Sequence, residues 1–459
     1  MADGQVVSAT LFSPLRKIPG PKLAGITDLW MLFQVLRGRG SIEIDRCFRE
    51  YGDIVRIGPS SVVVRKPEDY TEIYVGHKYR KDARMAKLRI FGIENVISAV
   101  DPGVHRHLRK LTNPLFTSES VKALQRPLQE LLDDLFVHID QSSRRQESAN
   151  MWNLYRLLAF DFLGQAAFGN SFAALRKGTE MALMHDMDKF FRLLTIKTGL
   201  PSWVYDMTCC IPVSKWQDIV HSETRLMTLD NEIDRKGMPL SESFLCSTIL
   251  IFLIAGTDTT STSLAWITWA LARYPQIYKR LRKELEVAIP DADILPDYTS
   301  LRRLPYLSAV IKEGLRRWPP ASLYLPRIAP PGGAVHCGCF IPESTSIGCS
   351  PYAMHRNENI FPDPDKYEPE RWLEESNGIY TLKSSSEMMS SYMAWSTGVR
   401  SCQGQPLAEM ELYCVIAALT RRYEFYPDPE TTDDSMREFE TLLLQPISHS
   451  LKIKFEQKF

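Results

Sequence analysis

The chain of 459 residues lacks any charge imbalance: 55 lysines and arginines stand against 55 aspartates and glutamates. That balance argues against a nucleic-acid partner held by bulk electrostatics. A long apolar run near the N-terminus is also missing. Only Val6 to Phe12 is apolar there, far below the ~20 residues that span a bilayer. Residues 1–17 therefore read as a tail lacking a clear membrane anchor. No secretory signal is visible, and nine cysteines are too few to staple a chain of this length. Reduced thiols in an intracellular compartment are expected. No Gly/Ser-rich linker, internal repeat or low-complexity run divides the chain, so residues 18–459 read as a single domain, although the length would allow about three. At 44% hydrophobic and 24% charged, the composition is that of a soluble globular protein with a large core.

What is present is mostly helical patterning with a minor β-sheet region, an α+β class. Ile54–Ile57 and Ser61–Val64 read as a β-hairpin, with a helix starting near Pro67. Phe116 to Phe168 reads as helical, with Leu128, Leu131, Leu132, Leu135 and Ile139 on one face. Met151 to Phe168 is apolar but interrupted by Arg156, Asp161 and Gln165, and reads as a buried core helix. Residues 170–240 carry little signal. His336, Cys337 and Cys339 resemble metal ligands only superficially. With no second ligand pair, a strand–turn–strand around Gly338 is the better reading. Phe439 to Phe455 alternates weakly, as in a closing hairpin whose Leu442–Leu444 reach a substrate pocket.

Two stretches carry chemistry. Trp395 to Gly404 places Cys402 between Gly398 and Gly404, with Arg400 nearby, just ahead of an amphipathic helix opened by Pro406. Backbone N–H groups and the positive dipole end at a helix start stabilise a thiolate. Ser241 to Arg273 supports one helix about 45 Å long at 1.5 Å per residue. It is interrupted by Ala255-Gly256-Thr257-Asp258-Thr259-Thr260. Glycine and threonine are poor helix formers, and such a local conflict often marks function. Ala255 and Gly256 share a face with Thr259 and leave room for a diatomic ligand, while Asp258 and Thr259 offer an acid and a hydroxyl. The bland alternative is a bend with hydroxyls bonded back to carbonyls.

The cysteine loop resembles the haem-binding loop of the cytochrome P-450 family, F-x-x-G-x-R-x-C-x-G. Gly398, Arg400, Cys402 and Gly404 match. Trp395 replaces the usual phenylalanine and Ser396 a common glycine. The helix break matches the family's A-G-x-D/E-T-T motif, Glu313 and Arg316 its E-x-x-R, and Pro369 to Trp372 its P-E-R-W. Arg16 to Pro21 is similar to the basic, proline-rich hinge that follows the anchor in microsomal relatives, and the link after Trp216 is shorter than in the family.

The resemblance implies a cytochrome P-450 fold and haem b with Cys402 as its axial thiolate, which pushes electron density toward iron. It gives Trp395 the shielding position over that thiolate. Arg400, Arg327, Arg109 and His105 are implied as propionate-holding residues, Asp258 and Thr259 as the proton-handling pair, and Glu313, Arg316 and Arg371 as a buried support for the loop. It further implies electrons from NADPH through NADPH–cytochrome P-450 reductase, a hydrophobic small-molecule substrate, and a cytoplasmic or peripheral endoplasmic-reticulum location. The expected reaction is monooxygenation in secondary metabolism. A haem-thiolate isomerase or dehydratase, or a non-catalytic relative, are the competing readings.

Overall fold

The computed structural model describes residues 13–200, 202–227, 242–292, 294, 296–376, 379–383 and 386–457. The run Val6 to Phe12, the helix start at Ser241 and most of the link after Trp216 lie outside them. The site is positioned by helices α1 (Pro67–Tyr74), α2 (Pro102–Thr112), α3 (Gln125–Arg144), α4 (Met151–Phe168), α5 (Ala182–Gly199), α6 (Glu242–Arg273), α7 (Pro305–Arg317) and α8 (Gln405–Arg422).

Helix α6 runs through the centre. Its length and apolarity would suffice to cross a membrane, but it is spent on the core. Residues Leu264 to Trp266 and Ala270 to Ala272 are buried, and Trp266 stacks on Trp318 with ring centroids 4.9 Å apart. Helix α4 lies against it and is buried almost all round, as its near-continuous apolar sequence predicts. The two approach closely at Gly256, where an added Cβ would come within 2.7 Å of the Leu163 side chain. The space read from sequence as room for a diatomic ligand is, at Gly256, filled by Leu163; the glycine serves helix packing.

One five-stranded sheet has the order β1 (Ile54–Gly58), β2 (Ser61–Val64), β5 (Ser346–Gly348), β4 (Arg327–Ile328), β3 (Arg80–Lys81). The β1–β2 hairpin forms as expected, with Ile54 opposite Val64, and Pro67 opens α1. Ala334–His336 pairs with Cys339–Ile341 around Gly338, which confirms the strand–turn–strand. His336 is occupied by Asp69 at 2.8 Å and Tyr79 at 2.7 Å. The C-terminal expectation needs correcting. Glu438–Glu440 pairs with Leu444–Pro446, whereas Lys452–Gln457 joins Tyr423–Pro427 in a separate sheet. Two pairings therefore replace one hairpin, and Leu444 and Ile453 both bury in the same large core.

Candidate active site

Cys402 lies three residues before α8, and its N–H donates to Trp395 O at 2.8 Å, which closes the loop. The thiol is exposed, yet the surrounding protein desolvates it and raises its pKa. The N–H groups of Gly404 and Gln405 and the charge of Arg109 act in the opposite sense, towards thiolate. The cation near the sulfur is thus Arg109. The sequence suggested Arg400, but its guanidinium turns away to Ala99 O at 2.5 Å and Val100 O at 3.2 Å. Arg109, from α2, donates from Nη1 to Val399 O and Ser401 O, both at 2.9 Å, and so clamps the loop.

Gly398 has φ +70°, and a Cβ there would collide with Tyr74 O, so the loop can seat against α1 only with glycine. Gly404 differs: its φ is −78° and the nearest atom to an added Cβ is 3.9 Å away on Phe116. No turn requires it. Ser396, in place of the common glycine, has φ +56°. Trp395 is half-buried against the main core and also lines a cleft beside the loop with Arg302 and Lys312.

Arg327, Arg400, Arg109 and His105 are brought together around a cleft of about 460 Å³. Lys81 joins them, although sequence reasoning missed it. It faces Arg327 directly across β3 and β4, a like-charge pairing that costs stability without an anion between. Among the described residues, no aspartate or glutamate lines the cleft. The crowding shows in the protonation equilibria. Burial, with Arg327 and Arg109 alongside, lowers the Arg400 pKa to about 10, although Asp101 pulls the other way. Lys81 is pushed well below its usual range by burial, Arg327 and Arg400. His105 is pushed down to about 3, first by burial and then by the cations around it, and is a neutral donor. The donor set suits a dianionic group such as a pair of carboxylates.

In α6, Ala255, Gly256 and Thr259 are half-buried while Thr257 and Asp258 are buried. The Thr259 hydroxyl bonds back to Ala255 O at 2.6 Å, the arrangement named as the bland alternative. Asp258 points the other way, to Arg156 Nε at 3.3 Å. Its pKa is raised to about 6 by burial, with Arg156 opposing. Arg156 had been visible in the sequence only as an interruption of an apolar helix.

Glu313, Arg316 and Arg371 do assemble. Arg316 meets Glu313 with two bonds, 2.8 and 2.9 Å, and Arg371 Nε reaches the same carboxylate at 3.0 Å. Trp372 Nε1 and the Glu368 N–H add bonds of 2.9 Å each. The remaining Arg316 donors go to His355 O, Pro364 O and Lys366 O. Full satisfaction is what makes a buried ion pair tolerable.

An exposed cysteine at a helix start, an acid–hydroxyl break in a central helix and a cleft of cations with no acid among the described residues occur in one molecule, a set of donors that would suit a dianionic group with a cysteine ligand. The cytochrome P-450 family model matches residues 19–233 and 220–453. A cytochrome P-450 monooxygenase, atr2, from Stereocaulon alpinum is 30% identical over 92% of this chain and 87% of its own. The monooxygenase macH of Penicillium terrestre is 28% identical over 92% and 88%. Tryprostatin B 6-hydroxylase of Aspergillus fumigatus is 27% identical over 92% and 77%. The chain belongs to the cytochrome P-450 family. By class it is an oxygen-incorporating oxidoreductase, in a family that uses haem with thiolate ligation and a redox partner.

Proposed function

We propose that this protein is a haem-thiolate monooxygenase of fungal secondary metabolism whose substrate is a hydrophobic small molecule. One atom of O₂ enters the substrate and the other leaves as water, with two electrons from NADPH passed on by NADPH–cytochrome P-450 reductase and two protons taken up from solvent. The observation that carries the reading is the cation cleft, free of acidic side chains among the described residues, together with the exposed Cys402. Residues 18–459 act as one haem domain. Cys402 is the metal-binding residue, Arg400, Arg327, Arg109 and His105 hold the propionates of haem b, Trp395 and Gly398 shape the loop around the thiolate, and the Gly404 N–H faces the sulfur. Haem supplies the oxygen chemistry and the protein positions and tunes it.

The protein's own part in the reaction is proton handling. Asp258, its pKa raised to about 6 by burial, can both take and release a proton. Thr259 trades its bond to Ala255 O for a hydrogen bond into the site. Arg302 and Lys312 near the loop support docking of an acidic reductase surface. Exposed Leu23, Leu29, Phe33 and Leu36 support peripheral contact with the endoplasmic-reticulum membrane.

The reduced, carbon-monoxide-bound spectrum tests the ligand. A red-shifted Soret band is expected in wild type and absent in Cys402→Ser. Oxygen-18 from O₂ must then appear in product; its absence would favour an isomerase or dehydratase.

A further inference from the structure

Arg156 is a cation inside a largely apolar helix, and the haem site makes no direct use of it. Each of its three nitrogens has a different carboxylate. Nε meets Asp258 at 3.3 Å, Nη1 meets Glu180 at 2.8 Å and Nη2 meets Asp188 at 2.6 Å. The side chains of Arg156 and Asp258 are 10% and 8% exposed, whereas that of Asp188 is 38% exposed. One guanidinium therefore spans from the buried acid of the helix break to solvent. The bond to Asp258 is the longest of the three, so Asp258 is the partner released at least cost.

We propose that Arg156 is a positioning residue of the proton-delivery site: it pins the Asp258 carboxylate behind α6, and competition from Glu180 and Asp188 for the same guanidinium sets how tightly. The proposal rests on the reading of Asp258 as the proton-handling acid. Glu180 and Asp188 flank and occupy α5, so a shift of that helix loosens or tightens the Asp258 contact without touching α6. The other titratable or charged neighbours are His185, 3.3 Å from Glu180, and His449 and Arg192, which share their electrostatic surroundings with Arg156 and Asp188.

The electrostatics give the arrangement opposite signs at its two ends. Arg156 favours the ionised form of Asp258, whereas Asp188 and Glu180 disfavour it. Removing Arg156 must raise the pH at which Asp258 ionises, and removing the Asp188 charge must lower it. A merely structural role for Arg156 would not produce shifts of opposite direction.

The experiment uses the haem-loaded full chain. The protonated-carboxyl infrared band of Asp258, assigned by its loss in Asp258→Asn, is followed against pH. Arg156→Leu is expected to move its midpoint upward by about one pH unit or more, Asp188→Asn to move it downward, and Arg156→Lys to restore much of the wild-type value. Midpoints that stay put, or move the same way in both variants, overturn the proposal. Should Arg156→Leu not fold, the direction of the Asp188→Asn shift at its half-exposed site decides by itself. Separately, the share of NADPH electrons released as hydrogen peroxide with reductase is measured in Asp258→Asn. An unchanged share there removes the proton-handling reading of Asp258, while the infrared result still judges Arg156.

Discussion

His355 Nε2 accepts the Met393 N–H at 2.7 Å, and the opposite ring nitrogen, Nδ1, donates to Arg316 O at 3.0 Å. The two bonds fix the imidazole as a neutral tautomer. They also join the Glu313–Arg316 pair to the strand of chain that leads into the Cys402 loop. The support inferred for that loop thus acts through a histidine lying between, stacked on Tyr392 with centroids 5.4 Å apart.

His355 should make the fold acid-sensitive. Burial and Arg316 lower its pKa from 6.5 to about 3. Between those values the unfolded chain binds a proton that the folded chain refuses, so this contribution is complete above pH 6.5 and declines as pH falls towards 3. The slope is about 1.4 kcal/mol per pH unit. Thermal unfolding from pH 7 to pH 5 should show the wild-type advantage over His355→Gln shrinking with acidity.

Glu313→Ala leaves the fully buried Arg316 without its carboxylate, and Arg316→Ala leaves the fully buried Glu313 with Arg371 in place of two cations. A loss of roughly 3–5 kcal/mol is expected, together with failure to incorporate haem. Haem content per protein after expression with ample haem supply is the measurement; normal content in either variant would contradict the role.

Ser396 sits at φ +56°, where a side chain costs about 1–2 kcal/mol relative to glycine. Ser396→Gly should stabilise the protein by about 1 kcal/mol, the unfolded-state entropy of glycine offsetting part of the relief. Denaturant titration of the holoprotein reads it directly.

Arg109 holds Val399 O and Ser401 O with one nitrogen. Bonds from a charged donor are worth about 1.5–3 kcal/mol, so Arg109→Ala should release haem roughly tenfold to a hundredfold faster. Transfer to an acceptor apoprotein follows the rate. Arg109→Lys should fall between, since an ammonium cannot reproduce the planar fork.

The amino-acid sequence alone determined whatever depends on residues close along the chain. Hydrophobic periodicity set α3, α4 and α6, Pro67 and Pro406 set helix starts, and short spacings placed Cys402, Gly398, Asp258, Thr259 and the Glu313–Arg316 pair on the right elements. Local sterics and helix geometry act within a few residues, so a reader of the chain can apply them. Three-dimensional packing decided the rest: that Arg109 and not Arg400 neighbours the sulfur, that Gly256 makes way for Leu163, and that Lys81 completes the cation cleft. It also placed His355 between Arg316 and Met393, and split the C-terminal strands between two sheets. Charge and burial operate through space, between residues up to some 300 positions apart, and no local pattern records which of them will meet.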